Sequence, residues 1–160
     1  MRKYHILIAA LVVLLDRLTK GMVAQKIILH DSIDIVPGLF RLTHVQNQGA
    51  AFGLFSDSPS EWKVAMLILF SLAALAVVSA LLWKNGNALN ATSIALCLVF
   101  GGALGNLWDR VVSGRVIDFL DFYVGPHHWP AFNIADSAIV IGSGLLLVSL
   151  LRPKQQTAGA

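Results

Sequence analysis

The feature that most constrains this chain is a run of twenty residues, 64–83, that contains no charged side chain. A helix of roughly 20 apolar residues is long enough to cross the hydrocarbon core of a bilayer, which is about 30 Å thick. The composition agrees, because 56% of the 160 residues are hydrophobic and only 13% are charged, against about 45–50% and about 25% in soluble domains. We therefore expect an integral membrane protein.

The chain contains three more apolar segments of spanning length. Spans are predicted at residues 4–24, 62–83, 91–109 and 133–151, with outer connections at 25–61 and 110–132 and a polar C-terminal tail at 152–160. The first span resembles a secretory signal, but Asp16, Arg17 and Lys20 occupy the region where a cleavage site needs small residues. We expect this span to be retained, so that residues 1–160 form a single integral membrane domain.

The distribution of basic residues predicts the orientation of the spans. Short segments without acidic residues contain Arg2, Lys3, Lys84, Arg152 and Lys154. Short loops rich in Lys and Arg remain on the cytoplasmic side of a membrane. Both termini are therefore predicted in the cytoplasm, and the two longer connections, which carry most of the acidic residues, on the outer face. The scattered basic residues form no stripe for a phosphate backbone, so nucleic-acid binding is excluded.

Both outer connections contain patterned segments. Residues 32–36 and 39–45 alternate apolar and polar side chains across Pro37 and Gly38, which predicts a small β hairpin on the membrane surface. Residues 115–122 are predicted either to continue the third helix or to form a short amphipathic piece. The predicted fold class is an all-α membrane protein with four transmembrane helices, a small extracytoplasmic β hairpin or sheet and a short outer amphipathic segment.

Several charged residues lie where a bilayer disfavours them. An ionised side chain near the bilayer centre costs about 2.5–3.5 kcal/mol on insertion scales, so it normally faces a partner or a wet cavity. Asp16 and Lys20 are four residues apart and share one face of the first helix. They form either a local ion pair or part of a functional site. Arg17 points away from that face and is expected to extend to the outer interface.

The third span combines small and polar residues near its outer end. Gly101 and Gly105 form a step of small residues at which another helix can approach closely. Asn106 and Arg110 are four residues apart on one stripe, and packing does not explain them. Their positions predict a site at the outer membrane boundary.

Carboxylates from two segments can meet at that boundary. Asp118 lies in the second outer connection, and Asp136 lies three residues after Asn133 near the start of the fourth span. The outer ends of the third and fourth helices are neighbours, so the two acids reach a similar depth. Two carboxylates in one desolvated site can share a proton, which suits the hydrolysis of a peptide by water. Asp121 is a rival for the first position, since spacing does not separate it from Asp118.

Other roles for these residues stay open on the residues alone. The first acid could pair with a nearby arginine, and Asp136 could be an anion favoured by the dipole at a helix N-terminus. A small proton- or ion-coupled membrane transporter could instead use Asp16, Lys20 and Asp136 as a relay. The adjacent histidines His127 and His128 have no further ligand at metal-binding spacing, so no metal is predicted.

Five motifs follow one another along the chain. They are Asp16-x-x-Thr19-Lys20, Asn47-x-Gly49-Ala50-Ala51-Phe52-Gly53, Gly101-Gly102-Ala103-x-Gly105-Asn106-x-x-Asp109-Arg110, Val116-x-Asp118-Phe119 and Phe132-Asn133-x-Ala135-Asp136. In this order they resemble the bacterial lipoprotein signal peptidases, also called signal peptidase II. The resemblance covers residues 16–136 and extends to the four spans, with one departure at Arg17, where the family often has Gln.

The resemblance implies a membrane aspartic endopeptidase that removes the signal peptide from diacylglyceryl-modified prolipoproteins by cleaving before the lipidated cysteine. Asp118 and Asp136 match the catalytic pair that activates water. Residues that match the substrate-binding positions are Asn47, Gly49, Asn106, Arg110 and Asn133, and those that match structural positions are Asp16, Lys20, Gly101, Gly105 and Asp109. The implied location is the bacterial inner membrane, with the site at the outer face. The implied partners are the lipid-modified precursor and membrane lipids, with no cofactor, metal or obligate protein partner.

Overall fold

The computed structural model describes residues 2–49 and 61–151, which form four long helices and a four-stranded sheet. The helices are α1 (Arg2–Lys26), α2 (Glu61–Lys84), α3 (Ala91–Ser113) and α4 (Ile134–Leu151). The strands are β1 (Ser32–Val36), β2 (Phe40–Asn47), β3 (Val116–Val124) and β4 (His127–His128). The motif residues 50–53 and the predicted tail at 152–160 lie outside the described residues.

Three of the described helices, α2, α3 and α4, are long and apolar enough to cross a membrane. Large apolar side chains on them are exposed, as Leu69 and Phe70 of α2 are at 60% and 62%. Extended exposed apolar surface is typical of protein that contacts lipid. The helix α1 has 25 residues but carries Asp16, Arg17 and Lys20 in its second half, so its membrane crossing stays a prediction.

The helix α3 is the centre of the bundle. It packs against α1, α2 and α4. Glycines permit the close approaches. A Cβ added to Gly101 would lie 2.8 Å from the carbonyl oxygen of Ala9 in α1, and one added to Gly142 of α4 would lie 2.7 Å from that of Ala95 in α3. Small residues therefore set the separation of α3 from α1 and α4.

The outer segments form antiparallel pairs in the order β1-β2-β3-β4. The predicted hairpin is confirmed, because β1 pairs with β2 across a turn that contains Gly38. Gly38 has a φ of 81°, a left-handed value that glycine adopts without steric cost. The strand β2 also pairs with β3, so the hairpin is one part of a larger sheet.

Of the two structures predicted for residues 115–122, the continuation of the third helix is wrong. The helix α3 ends at Ser113, and Gly114 caps it with a left-handed φ of 69°. The next residues form β3, in which β-branched and aromatic side chains favour an extended backbone. Asp118 therefore lies on a strand of the sheet.

The strand β3 also binds the segment that enters α4. The N–H groups of Phe119 and Leu120 donate to the carbonyl oxygen of Phe132 at 3.0 and 2.8 Å, and the Phe132 N–H donates to Leu120 at 3.1 Å. The side chain of Phe119 packs in a buried cluster with Val23 and Ile27 at the end of α1. Because Asn133 directly follows Phe132, these contacts bring the start of α4 next to Asp118.

Candidate active site

The start of α4 holds Asp136 in one orientation. Asn133 precedes the helix, and its Oδ1 accepts a hydrogen bond from the Asp136 N–H at 2.9 Å. In return, Asp136 Oδ2 accepts from the Asn133 N–H at 3.3 Å. These reciprocal bonds form a capping box, which satisfies N–H groups that a helix leaves unpaired at its first turn. The carboxylate therefore lies at the positive end of the helix dipole, which favours negative charge.

Asn133 connects Asp136 to the second acid. Its Nδ2 donates to Asp118 Oδ1 at 2.7 Å, while Asn47 Nδ2 donates to Asp118 Oδ2 at 3.1 Å. The side-chain oxygen of Asn47 accepts from the Gly49 N–H at 2.8 Å, which fixes the direction of that amide. Asn133 thus binds both acids that the sequence predicts to meet, one through its side chain and the other through its backbone.

Burial and charge change the acidity of Asp118. Only 4% of this residue is exposed, and that burial, followed by the negative charge of Asp136, raises the pKa of Asp118 from 3.8 to about 6. The hydrogen bonds from Asn47 and Asn133 act in the opposite direction. Asp118 therefore keeps its proton to a higher pH than an ordinary aspartate.

Two residues of α3 face the acids. Asn106 Nδ2 donates to Asp136 Oδ1 at 2.7 Å. Arg110, one turn further on, is near enough to interact electrostatically with Asp118 and Asp136, and its Nη1 donates to the carbonyl oxygen of Asn106 at 3.3 Å. The stripe of α3 that carries Asn106 and Arg110 is therefore turned toward both carboxylates.

A second polar cluster lies behind Asn106. Lys20 of α1 is 1% exposed, and its Nζ contacts three oxygens: Asp16 Oδ2 at 2.7 Å, Asp109 Oδ2 at 2.7 Å and Asn106 Oδ1 at 3.0 Å. Asp16 is fully buried, and its Oδ1 accepts from the Ala135 N–H at 3.0 Å. The local ion pair of Asp16 and Lys20 is present, and it also joins α1 to α3 and to the first turn of α4.

The sequence predicts that Arg17 extends to the outer interface, but in the structure its side chain pairs with an acid of α3. Its Nη1 pairs with Asp109 Oδ1, so the buried Asp109 contacts both Arg17 and Lys20. No local pattern predicts this pair, because its members are 92 positions apart on different helices. Gly105 provides space beside the cluster, since a Cβ there would lie 2.9 Å from Asp16 Oδ2.

Asp121, the rival of Asp118, belongs to a different cluster. Its Oδ2 accepts from Arg41 Nε at 2.7 Å, and its Oδ1 is 3.0 Å from His128 Nδ1. None of these described contacts reaches Asp136. Within residues 2–49 and 61–151, no group of three His, Cys, Asp or Glu side chains could hold a metal ion. The absence of a metal from the reaction stays a prediction.

The sequence matches one family model and many known proteins. The model, described as Signal peptidase (SPase) II, matches residues 8–152. The lipoprotein signal peptidase of Solibacter usitatus is 46% identical over 151 residues, which are 94% of this chain and 92% of the relative. That of Desulforapulum autotrophicum is 47% identical over 140 residues, which are 85% and 84% of the two chains.

Solved structures resemble the chain over almost its whole length. One, described as a bacterial membrane enzyme at 2.3 Å resolution, has a TM-score of 0.86 and 32% identity, and the match covers 99% of this chain and 94% of the other. A second bacterial membrane enzyme, at 1.9 Å resolution, has a TM-score of 0.82 and 34% identity, covering 96% and 95%. At these identities the similarity is one of sequence as well as of fold.

Proposed function

Because this chain belongs to the signal peptidase II family, we propose that it removes the signal peptide from diacylglyceryl-modified prolipoproteins, with Asp118 and Asp136 as its catalytic pair. Family membership and the apolar helices make it a multi-pass membrane protease. The bond cleaved is the one before the lipidated cysteine. The observation that carries the aspartate pair is that Asn133 binds both carboxylates.

The two acids have different roles in the proposed reaction. Asp136 lies at the N-terminus of α4, where its two oxygens accept hydrogen bonds from Asn106 and from the Asn133 N–H, so it is placed as a hydrogen-bond acceptor. The burial of Asp118 and its raised pKa favour the protonated form. We therefore assign Asp136 as the general base and Asp118 as the general acid.

The proposed reaction proceeds in two steps without a covalent intermediate. In the first step, Asp136 takes a proton from water as the water oxygen attacks the scissile carbonyl carbon, and Asp118 donates its proton to the carbonyl oxygen. In the second step, Asp136 gives its proton to the leaving amine nitrogen. Asp118 takes back a proton from a hydroxyl group of the tetrahedral intermediate as the C–N bond breaks. Both carboxyl groups then have their starting protonation states.

The remaining polar residues are proposed to bind the substrate backbone. Asn47 is the last residue of β2 and contacts Asp118, and Gly49 donates its N–H to Asn47. Arg110 lies on the α3 face near both acids. Arginine offers several N–H donors to peptide carbonyl oxygens. These residues would hold the peptide against the pair while Asn106 and Asn133 hold the acids themselves.

The proposed location is the bacterial inner membrane, with both termini in the cytoplasm. In this orientation, the sheet and the aspartate pair lie at the outer face. Exposed apolar residues of β1, with Ile33 at 49% and Ile35 at 52% exposure, support contact of the sheet with the lipid surface. A lipidated cysteine next to a transmembrane signal helix would place the scissile bond at that same depth.

A cleavage assay tests this function. We expect the purified protein in liposomes to cut a precursor peptide that carries a diacylglyceryl cysteine, and to cut the same peptide with free cysteine at least about 100-fold more slowly. The lipid holds the scissile bond at the depth of the pair, and misplacement by 1 Å can cost about 100-fold in rate. Mass spectrometry of the products identifies the bond. No cleavage, or cleavage elsewhere in the peptide, would contradict the proposal.

The same liposomes test the transport alternative. The buried charges of Asp16, Lys20 and Asp109 are the observation that favours a relay through the membrane. We expect no proton or ion flux above that of empty liposomes, because the described contacts join these charges to one another and to the start of α4. Flux that depends on Lys20, in the absence of cleavage, would favour the transporter.

The raised pKa of Asp118 can be measured directly. We expect its carboxyl carbon to titrate with a pKa of about 6 in protein labelled with ¹³C at aspartate and held in detergent micelles. Asp136→Asn should lower the pKa of Asp118 only part of the way toward 3.8, because burial is the larger cause and the Asp136 charge the second. The Asp118→Asn spectrum identifies the signal. A wild-type pKa near 3.8, or an upward shift in the variant, would contradict this account.

A further inference from the structure

We propose that Lys20 is a positioning residue for the reaction and that it acts on Asp136 through the amide of Asn106. This inference rests on the proposed function and goes beyond a role in holding α1 in the bundle. Lys20 lies on α1, touches neither acid of the pair in the described contacts, and reaches Asp136 through one intervening side chain.

The contacts of Lys20 fix the directions of the three N–H bonds of its ammonium group. The group has three N–H donors and no acceptor, and it has three oxygens within 3.0 Å, on Asp16, Asp109 and Asn106. With 1% exposure, the group is shielded from bulk solvent. One of the three donors is therefore directed at Asn106 Oδ1.

That donor determines which way the Asn106 amide faces. Asn106 Oδ1 accepts from Lys20 Nζ at 3.0 Å and from Asn133 Nδ2 at 3.3 Å, so the Asn106 Nδ2 is turned to Asp136 Oδ1 at 2.7 Å. In the flipped amide, an NH₂ group would face an ammonium group, and an oxygen would face a carboxylate. Both contacts would be repulsive. Lys20 thus keeps an N–H donor directed at Asp136 in every turnover.

The charges around the pair indicate that Lys20 acts more by orienting the Asn106 amide than by adding positive charge. The cluster that contains Lys20 is balanced, because Arg17 and Lys20 face Asp16 and Asp109. The other charged groups near Asp136 are Asp118 on β3 and Arg110 on α3. Of the groups that change the pKa of Asp118, Lys20 has the smallest effect, whereas the hydrogen bond through Asn106 reaches Asp136 directly.

A double-mutant cycle on kcat tests the proposal with the lipidated peptide. We expect Lys20→Met to lower kcat about 100-fold, the scale of a small misplacement of a reacting group, with KM changed less than about threefold. Asn106→Leu, which removes the amide, should lower kcat at least as much. The double variant should match Asn106→Leu within about threefold, because Lys20 has nothing left to orient. Losses that multiply in the double variant would overturn the proposal.

Arg17→Gln is the matched control. It removes a positive charge from the same cluster but contacts Asp109 and not Asn106, so kcat should stay within about threefold of wild type. A loss as large as that of Lys20→Met would mean that the charge balance, and not the orientation of Asn106, is what matters. Thermal unfolding of each variant shows whether it is folded.

A second variant covers the failure of Lys20→Met to fold. Asp16→Asn with Lys20→Met leaves Asp109 with its partner Arg17 and retains a side-chain oxygen for the Ala135 N–H. The double-mutant cycle of Lys20→Met and Asn106→Leu is then repeated in the Asp16→Asn protein, and the same result is expected. Failure of both forms to fold would assign Lys20 to folding and overturn the proposal. Wild-type protein without cleavage would instead count against the peptidase function, so the two failures are distinguishable.

Discussion

Asp118→Asn and Asp136→Asn are each expected to lower the rate of cleavage of the lipidated precursor by at least about 10³-fold. Loss of a general acid or base removes about 10²–10⁴-fold of rate, because an asparagine in either position can neither take a proton from water nor donate one to the carbonyl oxygen. The measurement is the initial rate in liposomes, with product identified by mass. Full activity in either variant would exclude the pair.

These variants should remain folded, which separates lost chemistry from lost structure. The pKa of Asp118 is raised from 3.8 to about 6 in the folded protein, so the fold loses stability as the pH rises from about 3.8, and this loss is complete above about 6. A neutral asparagine relieves this cost, and we expect the unfolding temperature of Asp118→Asn at pH 7 to equal or exceed that of wild type. A clear decrease would mean that the acid stabilises the protein.

Asp121→Asn is the matched control for the pair. Asp121 lies on the same strand, is also buried at 5% exposure, and is engaged by Arg41 and His128. We expect measurable turnover to remain, because this carboxylate does not reach Asp136 in the described contacts. If Asp121→Asn lost all activity while Asp118→Asn stayed active, Asp121 would be the acid of the pair.

Gly102→Ala is expected to produce the largest loss of stability. A Cβ on Gly102 would overlap the carbonyl oxygen of Ala135 and lie 2.8 Å from Ile139 Cγ1. The backbone of α4 would have to move, at a cost of about 3 kcal/mol in the free energy of unfolding. Because Ala135 precedes Asp136, cleavage should fall as well. Chemical denaturation in detergent and the peptide assay measure the two effects.

Gly144→Ala is the control for this prediction. It places the same methyl group on a glycine of α4, where no heavy atom of another described segment lies within 4 Å. Alanine has a higher helix propensity than glycine by about 1 kcal/mol, so stability should be unchanged or slightly increased. Equal destabilisation by both substitutions would mean that close approach of α3 and α4 is not what requires Gly102.

Local patterns in the sequence predicted part of the fold. Alternation around Pro37 and Gly38 located the β1–β2 hairpin, and the apolar runs located α2, α3 and α4 within a few residues. The strand β3 was missed, because its apolar residues follow a helical run and resemble its continuation. Gly114 was the available signal, since a glycine after a helix commonly ends it.

The pairing of side chains across the fold was less predictable. The choice between Asp118 and Asp121 depends on the β2–β3 register, which shifts between Leu42 and Val45. A shift of one residue moves side chains to the other face, and no short-range pattern reports it. The resemblance to the family selects Asp118, and in the structure this acid accepts a hydrogen bond from Asn133. The Arg17–Asp109 pair likewise depends on the packing of α1 against α3.

The capping box at the start of α4 has a consequence for the synthesis of the protein. Under the proposed mechanism, the hydrogen bonds that cap the first turn of this helix also orient the general base, Asp136. A nascent chain whose last helix has not yet formed would therefore be an inert precursor, unable to attack membrane proteins around it. Proteolytic competence would begin only when insertion into the bilayer is complete.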